Sequence, residues 1–141
     1  FRIVAAPMAS VAQRESWRDL VPEPKAGLVE DFAVFAGFLA FEARSDGLSR
    51  VFTQPWQSAT PEPVEVPEAA STSMLGDNPE PDSSTLRFEY ASLKTPDSVY
   101  ELDTITGRRR LLKQEPVLGG FSSDAYATQY LKAQAQDGTL V

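Results

Sequence analysis

Leu39, Phe41 and Ala43 alternate with Ala40, Glu42 and Arg44, which gives one apolar face and one increasingly polar face. A period of two over this length predicts a half-buried β-strand. A second apolar segment, 29–35, precedes it, and Ala36-Gly37 can supply the tight turn between them. Ser45-Asp46-Gly47 supplies the next turn, with Gly able to take positive φ. Residues 51–53 then read as a third strand. A fourth falls at 64–66, where neighbouring prolines suit an outer edge.

The same order recurs further along. A weak apolar segment at 73–75 leads into the turn Asp77-Asn78-Pro79, and Leu86, Phe88 and Tyr90 then alternate with Arg87, Glu89 and Ala91. Lys94-Thr95-Pro96-Asp97 is the following turn, its proline fixing φ. Tyr100 and Leu102 alternate with Glu101 and Asp103, Thr106-Gly107 reverses the chain, and 109–113 closes the set. Phe41 and Phe88 hold corresponding places about 47 residues apart, between the usual periods of WD and kelch propeller blades. The expected fold is therefore all-β: a partial β-propeller with four-stranded blades at about 28–67 and 70–114. Segments 1–6 and 17–21, separated by a polar loop, read as the outer half of a preceding blade. Phe32, Phe35, Phe41, Phe88 and Tyr90 are expected to fill the core between blades rather than to line a ligand groove.

After Gln114 the alternation stops. Glu115-Pro116-Val117-Leu118-Gly119-Gly120-Phe121 has two adjacent glycines, and a linker over 115–124 is favoured. Pro116, Gly119, Gly120 and Phe121 are the candidate interdomain hinge. Beyond it, 126–136, the turn Asp137-Gly138 and 139–141 read as a strand, a turn and a second strand. Helix over 125–135 is the competing reading, because Ala, Gln and Leu favour it.

Composition narrows the chemistry. The 141 residues are 42% hydrophobic, about one domain's worth, and no apolar run reaches the roughly 20 residues of a membrane-spanning helix. The chain opens on Phe1-Arg2-Ile3-Val4 without Met, so it is expected to be an internal piece or a processed product. There is no Cys, hence no disulfide and no thiolate metal site, and this fits the cytosol and the periplasm alike. A net charge of −7 argues against nucleic acid as a partner. The basic run Arg108-Arg109-Arg110 with Lys113 reads as the charged protection of an edge strand.

The chain has no His, and so lacks the usual general base of a serine-peptidase triad and the commonest metal ligand. No catalytic residue is assigned. Ser122-Ser123-Asp124 beside Gly119-Gly120 is not a nucleophile elbow, which needs Gly-x-Ser-x-Gly between strand and helix; a loop or cap role is expected. Asp77, Glu80 and Asp82 lie among prolines without a calcium-loop signature, and Gly119-Gly120 lacks a phosphate-loop completion, so no cofactor or metal is expected.

The run 85–121 adds a resemblance. An aromatic strand, the turn Ser92-Leu93-Lys94-Thr95-Pro96, the strand Ser98-Val99-Tyr100-Glu101-Leu102-Asp103, Thr106-Gly107, Leu111-Leu112-Lys113-Gln114 and Val117-Leu118-Gly119-Gly120-Phe121 together resemble the last propeller blade of the oligopeptidase B branch of the prolyl oligopeptidase family. Phe1-Arg2-Ile3-Val4, Glu15-Ser16-Trp17 and Asp46-Gly47-Leu48 extend the likeness over nearly the whole chain. The resemblance implies a parent serine peptidase that cleaves oligopeptides after basic residues with a triad on a hydrolase domain outside this chain. It implies a seven-bladed propeller that covers the active site and opens to admit peptides. It also implies that 125–141 begins the hydrolase domain. Ser122 and Gln129 depart from the family pattern, which has Asp and Glu there, so acidic contacts at those places are not carried over. The expected partners are the remaining blades, the hydrolase domain and, in the parent, peptide substrates. The alternative is a stand-alone β-sheet module binding a peptide or glycan. Two and a half blades leave open edges, so the isolated chain is expected to self-associate.

Overall fold

The computed structural model describes residues 1–22 and 27–141. Three antiparallel sheets form from them, with short 3-10 turns and no α-helix among the described residues. Strand β1 (Ile3–Ala5) pairs with β2 (Arg18–Val21). In the second sheet β3 (Gly27–Val34), β4 (Phe38–Ser45), β5 (Leu48–Pro55) and β6 (Glu62–Pro63) lie side by side in chain order. The third sheet repeats this with β7 (Ser71–Leu75), β8 (Thr85–Ser92), β9 (Ser98–Asp103) and β10 (Arg109–Gln114). This is the expected all-β partial propeller: two four-stranded blades and a two-stranded piece.

Equivalent side chains of β4 and β8 point the same way. Leu39, Phe41 and Ala43 face back onto Ile3 and Val21 of the two-stranded sheet, with Phe52 stacked on Phe41 at 5.1 Å between ring centroids. Leu86, Phe88 and Tyr90 face back onto Phe35, Phe38, Ala40, Val51 and Val64 of the middle blade. Ring stacking at 4.2 Å between Phe35 and Phe38 closes that second core at the tip of the β3–β4 turn. The strand types suit this arrangement, because flat aromatic and aliphatic side chains interdigitate between twisted sheets.

The half-buried reading of β4 needs correction. From Phe38 to Ala43 every residue is buried, because a blade inside a propeller is covered on both faces. Ala40 and Glu42, the supposed polar side, pack against the next blade. Glu42 is only 9% exposed, and its carboxylate accepts the backbone N–H of Leu75 on β7 at 3.2 Å. Burial raises its pKa, against the lowering effect of that bond. By contrast β8 is alternately buried and exposed, since no blade of this chain lies beyond it.

Phe32 is a second correction. It is 52% exposed, although it pairs in register with Phe41 and shares its face. The two-stranded sheet packs on Phe41, Phe52 and Val29, whereas Phe32, further along the inner strand β3, stays half in water. The last strand of the middle blade is also shorter and earlier than expected, at Glu62–Pro63, while Val64 tucks into the core with its N–H on the Val51 carbonyl at 2.8 Å.

The turn chemistry follows the residues. Asp103 accepts the N–H groups of Ile105 and Thr106 at 2.9 and 3.0 Å, and Gly107 takes φ +71° to complete the reversal into β10. Strand β10 is exposed throughout, as an edge strand would be, with Arg110 paired to Glu101 at 2.9 Å. The segment after residue 125 is not a helix; as in the strand–turn–strand reading it folds back about Asp137-Gly138, but the paired part is short and starts at Ala133 rather than Tyr126. Its pairing is limited to the bridge Gln134↔Leu140 with flanking bonds between Ala133 and Val141 and from Ala135 to Thr139.

Candidate functional site

One end of the two blades gathers the β4–β5 turn, the chain entering β7, the β8–β9 turn and the end of β10. The register sets this, with Ser45 opposite Leu48, Ser71 opposite Ser92 and Ser98 opposite Gln114. Arg50 fastens the two blades together here: its guanidinium donates to the Ala69 carbonyl at 2.7 Å and to that of Ser71. Beside it, the β-bulge in β3 presents Glu30 to Arg44 and Ser49, each at 2.9 Å.

Glu68, just before β7, is the centre of this end. Its carboxylate accepts hydroxyls from Thr95 at 2.6 Å, Ser92 at 2.7 Å, Tyr90 at 3.0 Å and Thr128 at 3.2 Å. Burial would raise its pKa, but these four hydroxyl bonds outweigh that and hold it below the usual carboxylate value. Three of the donors belong to the last blade. The fourth belongs to the segment beyond the linker.

That segment touches the middle blade as well. The Tyr130 hydroxyl donates to the Asp46 carbonyl, and Lys132 pairs with the Asp46 carboxylate at 3.1 Å. Asp46 takes φ +53° and Gly47 φ +78°, so this tight turn projects its carbonyl and carboxylate outward.

The expected linker, 115–124, starts as a continuation of β10, with the Glu115 N–H on the Asp97 carbonyl at 2.9 Å. It then leaves the sheet. Pro116 is exposed; Gly119 and Gly120, in a turn, have φ of +94° and +80°; Phe121 stacks on Tyr126 at 5.4 Å. A Cβ at either glycine would meet nothing within 4 Å, so left-handed backbone, not crowding, is what requires glycine there. An open groove of about 540 Å³ separates the linker from the last blade, between Tyr100, Pro96, Pro116 and Phe121. Ser123–Ala125 is a 3-10 turn preceded by Ser122, whose side chain makes no cap bond.

The four candidate hinge residues thus lie on one exposed stretch, but Phe121 alone of them has a ring contact. Asp77, Glu80 and Asp82 lie at the opposite end of the blade; among the described residues no three His, Cys, Asp or Glu are grouped to hold a metal ion. Sequence marks Asp46 only as a turn residue and gives Glu68, Thr128, Tyr130 and Lys132 no role at this end of the blades. The alternation Thr128, Tyr130, Lys132 was the available signal.

Residues 1–115 match the family description "Prolyl oligopeptidase, N-terminal beta-propeller domain". Dipeptidyl aminopeptidase BI of Pseudoxanthomonas mexicana is 38% identical over 140 residues, covering 98% of this chain and 19% of that protein. Oligopeptidase B from Trypanosoma brucei, in a closed form with covalently bound antipain, superposes with a TM-score of 0.82 at 30% identity, over 99% of this chain and 20% of that one. Oligopeptidase B from Leishmania major gives 0.80 at 26% identity, with the same coverage. The chain spans about a fifth of the length of these relatives. With two consecutive blades, a preceding half-blade and a family match over most of its length, this chain belongs to the prolyl oligopeptidase family, as part of its N-terminal β-propeller domain.

Proposed function

We propose that this chain forms the closing part of a propeller that gates peptide access to the active site of a serine oligopeptidase, with 115–124 as the linker and 125–141 as the start of the hydrolase domain. The observation that carries this reading is the exit at the β10 end, where an exposed double-glycine turn leaves the last blade beside an open groove. The Trypanosoma brucei relative, with antipain covalently bound, is in a closed form, and a gating propeller is consistent with that. Pro116, Gly119, Gly120 and Phe121 act as the hinge. Proline requires φ near −65°, so Gly119→Pro and Gly120→Pro must rebuild the turn. In the complete enzyme both substitutions change domain-opening kinetics, measured by stopped-flow fluorescence between labelled domains; unchanged kinetics overturn the hinge.

The parent cleaves after Arg or Lys in this reading, as the likeness to oligopeptidase B supports. A second reading follows from the relative named dipeptidyl aminopeptidase, whose name describes release of dipeptides from a free amino terminus. Fluorogenic peptides separate the two. Cleavage after Arg in an amino-blocked peptide supports the endopeptidase, whereas strict dependence on a free amino terminus supports the second.

A further inference from the structure

Residues 126–132 cross the end of both blades without backbone pairing to either. Thr128, Tyr130 and Lys132, two residues apart, all point at the blades: the first to Glu68, the second to the Asp46 carbonyl, the third to the Asp46 carboxylate. Between them Leu131 is 78% exposed, against 42% for Tyr130, whose hydroxyl tip makes the contact. This is the period-two facing of a β-strand, with one side seated on the propeller.

The anchors belong to different blades. Glu68 is held in place by three hydroxyls of the last blade, whether or not Thr128 is there. Asp46 is held by the left-handed β4–β5 turn of the middle blade. A single segment therefore spans the inter-blade seam on two preformed acidic supports, on the far side of the linker that is meant to flex.

We propose that 126–132 is a strap fastened to the propeller through Glu68 and Asp46, and that its release precedes any movement about the linker. While it is fastened, the chain beyond Phe121 travels with the blades, and the glycine turn cannot act as a pivot. Once it is released, 116–121 becomes the flexible tether. The second step rests on the gating reading above; the fastening itself does not.

Neither this chain's Cys-free sequence nor its surface obstructs a direct test in the complete protein. Spin labels at Ile105→Cys, at the opposite end of the last blade and 81% exposed, and at Gln129→Cys report the distance from blade to strap, with any other cysteines replaced. The unsubstituted strap gives one narrow distance. Thr128→Val with Lys132→Met leaves the blade side of Glu68 intact and reduces that population at least twofold in favour of a broad one. Asp46→Asn, which tolerates the left-handed turn and removes the Lys132 pair, loosens it to a smaller degree. A broad distribution from the start, or the same narrow one in all variants, overturns the strap. Small-angle scattering on the same samples separates the two ideas: a loosened strap without any expanded population keeps the strap and removes the gating reading.

Discussion

Phe32 offers the sharpest test of how the blades are completed. In this chain its ring is 52% exposed on the inner strand β3, on the face that Phe41 buries against the two-stranded sheet. If the two-stranded sheet is the outer half of a preceding blade, the inner strands of that blade would cover this position in a complete propeller. A phenylalanine buries about 150–250 Å², so the uncovered half is roughly 100 Å², and covering it is worth roughly 2.5 kcal/mol at about 25 cal/mol per Å². Adding the part already buried, Phe32→Ala in the complete protein should cost about 3–5 kcal/mol, as for other fully buried phenylalanines. Urea unfolding followed by far-ultraviolet circular dichroism measures it, with Phe88→Ala as the reference, since Phe88 is 1% exposed within the chain itself. A loss below about 1 kcal/mol would place Phe32 among ordinary surface positions. It would refute the claim that an inner half-blade lies over β3.

Two further outcomes follow from buried polar contacts. Ser73 is fully buried, and its hydroxyl accepts the Val51 N–H across the inter-blade seam at 3.1 Å; Ser73→Ala orphans that N–H and should lower stability by about 1–3 kcal/mol in the same unfolding assay. Glu68 has a folded-state pKa below its ordinary 4.5. The charged form is thus the one the fold favours, so its stabilisation is present above that ordinary value and is lost as pH falls through the lowered one. Glu68→Gln should flatten the acid limb of a stability–pH profile below pH 4.5 and lower stability at neutral pH; an unchanged acid limb would count against the hydroxyl cluster.

The alternation of Leu86, Phe88 and Tyr90 was legible because β8 has a true exposed face. The equivalent reading of β4 named the right strand and the wrong environment. Ala40, Glu42 and Arg44 resemble a solvent face in sequence, yet Glu42 is buried by β7, whose approach no local pattern announces. Phe32 failed for the opposite reason: it shares the face of Phe41, yet its ring stands half in water, and nothing in its local sequence tells whether a neighbouring sheet reaches it. Glu68 carried no signal at all, since it follows Pro67 in a segment that reads as loop, and its partners come from four separate positions. The strap was half legible. Thr128 and Tyr130 alternate as a strand should, but they contact residues 60 and 84 positions away, and no short-range rule reaches that far.

The bond from the Glu42 carboxylate to the Leu75 N–H has a consequence for the order in which such blades depend on one another. Glu89 on β8 holds the place that Glu42 holds on β4, and it stays exposed with no blade of this chain in front of it. In the middle blade this forward acceptor is filled by the inner strand of the next blade. A row of blades joined in this way has a head and a tail, and Glu89 is the unfilled coupling at the tail. A blade seated in front of β8 would bring a backbone N–H to Glu89, as β7 brings that of Leu75 to Glu42; with that face open, the carboxylate stands in water.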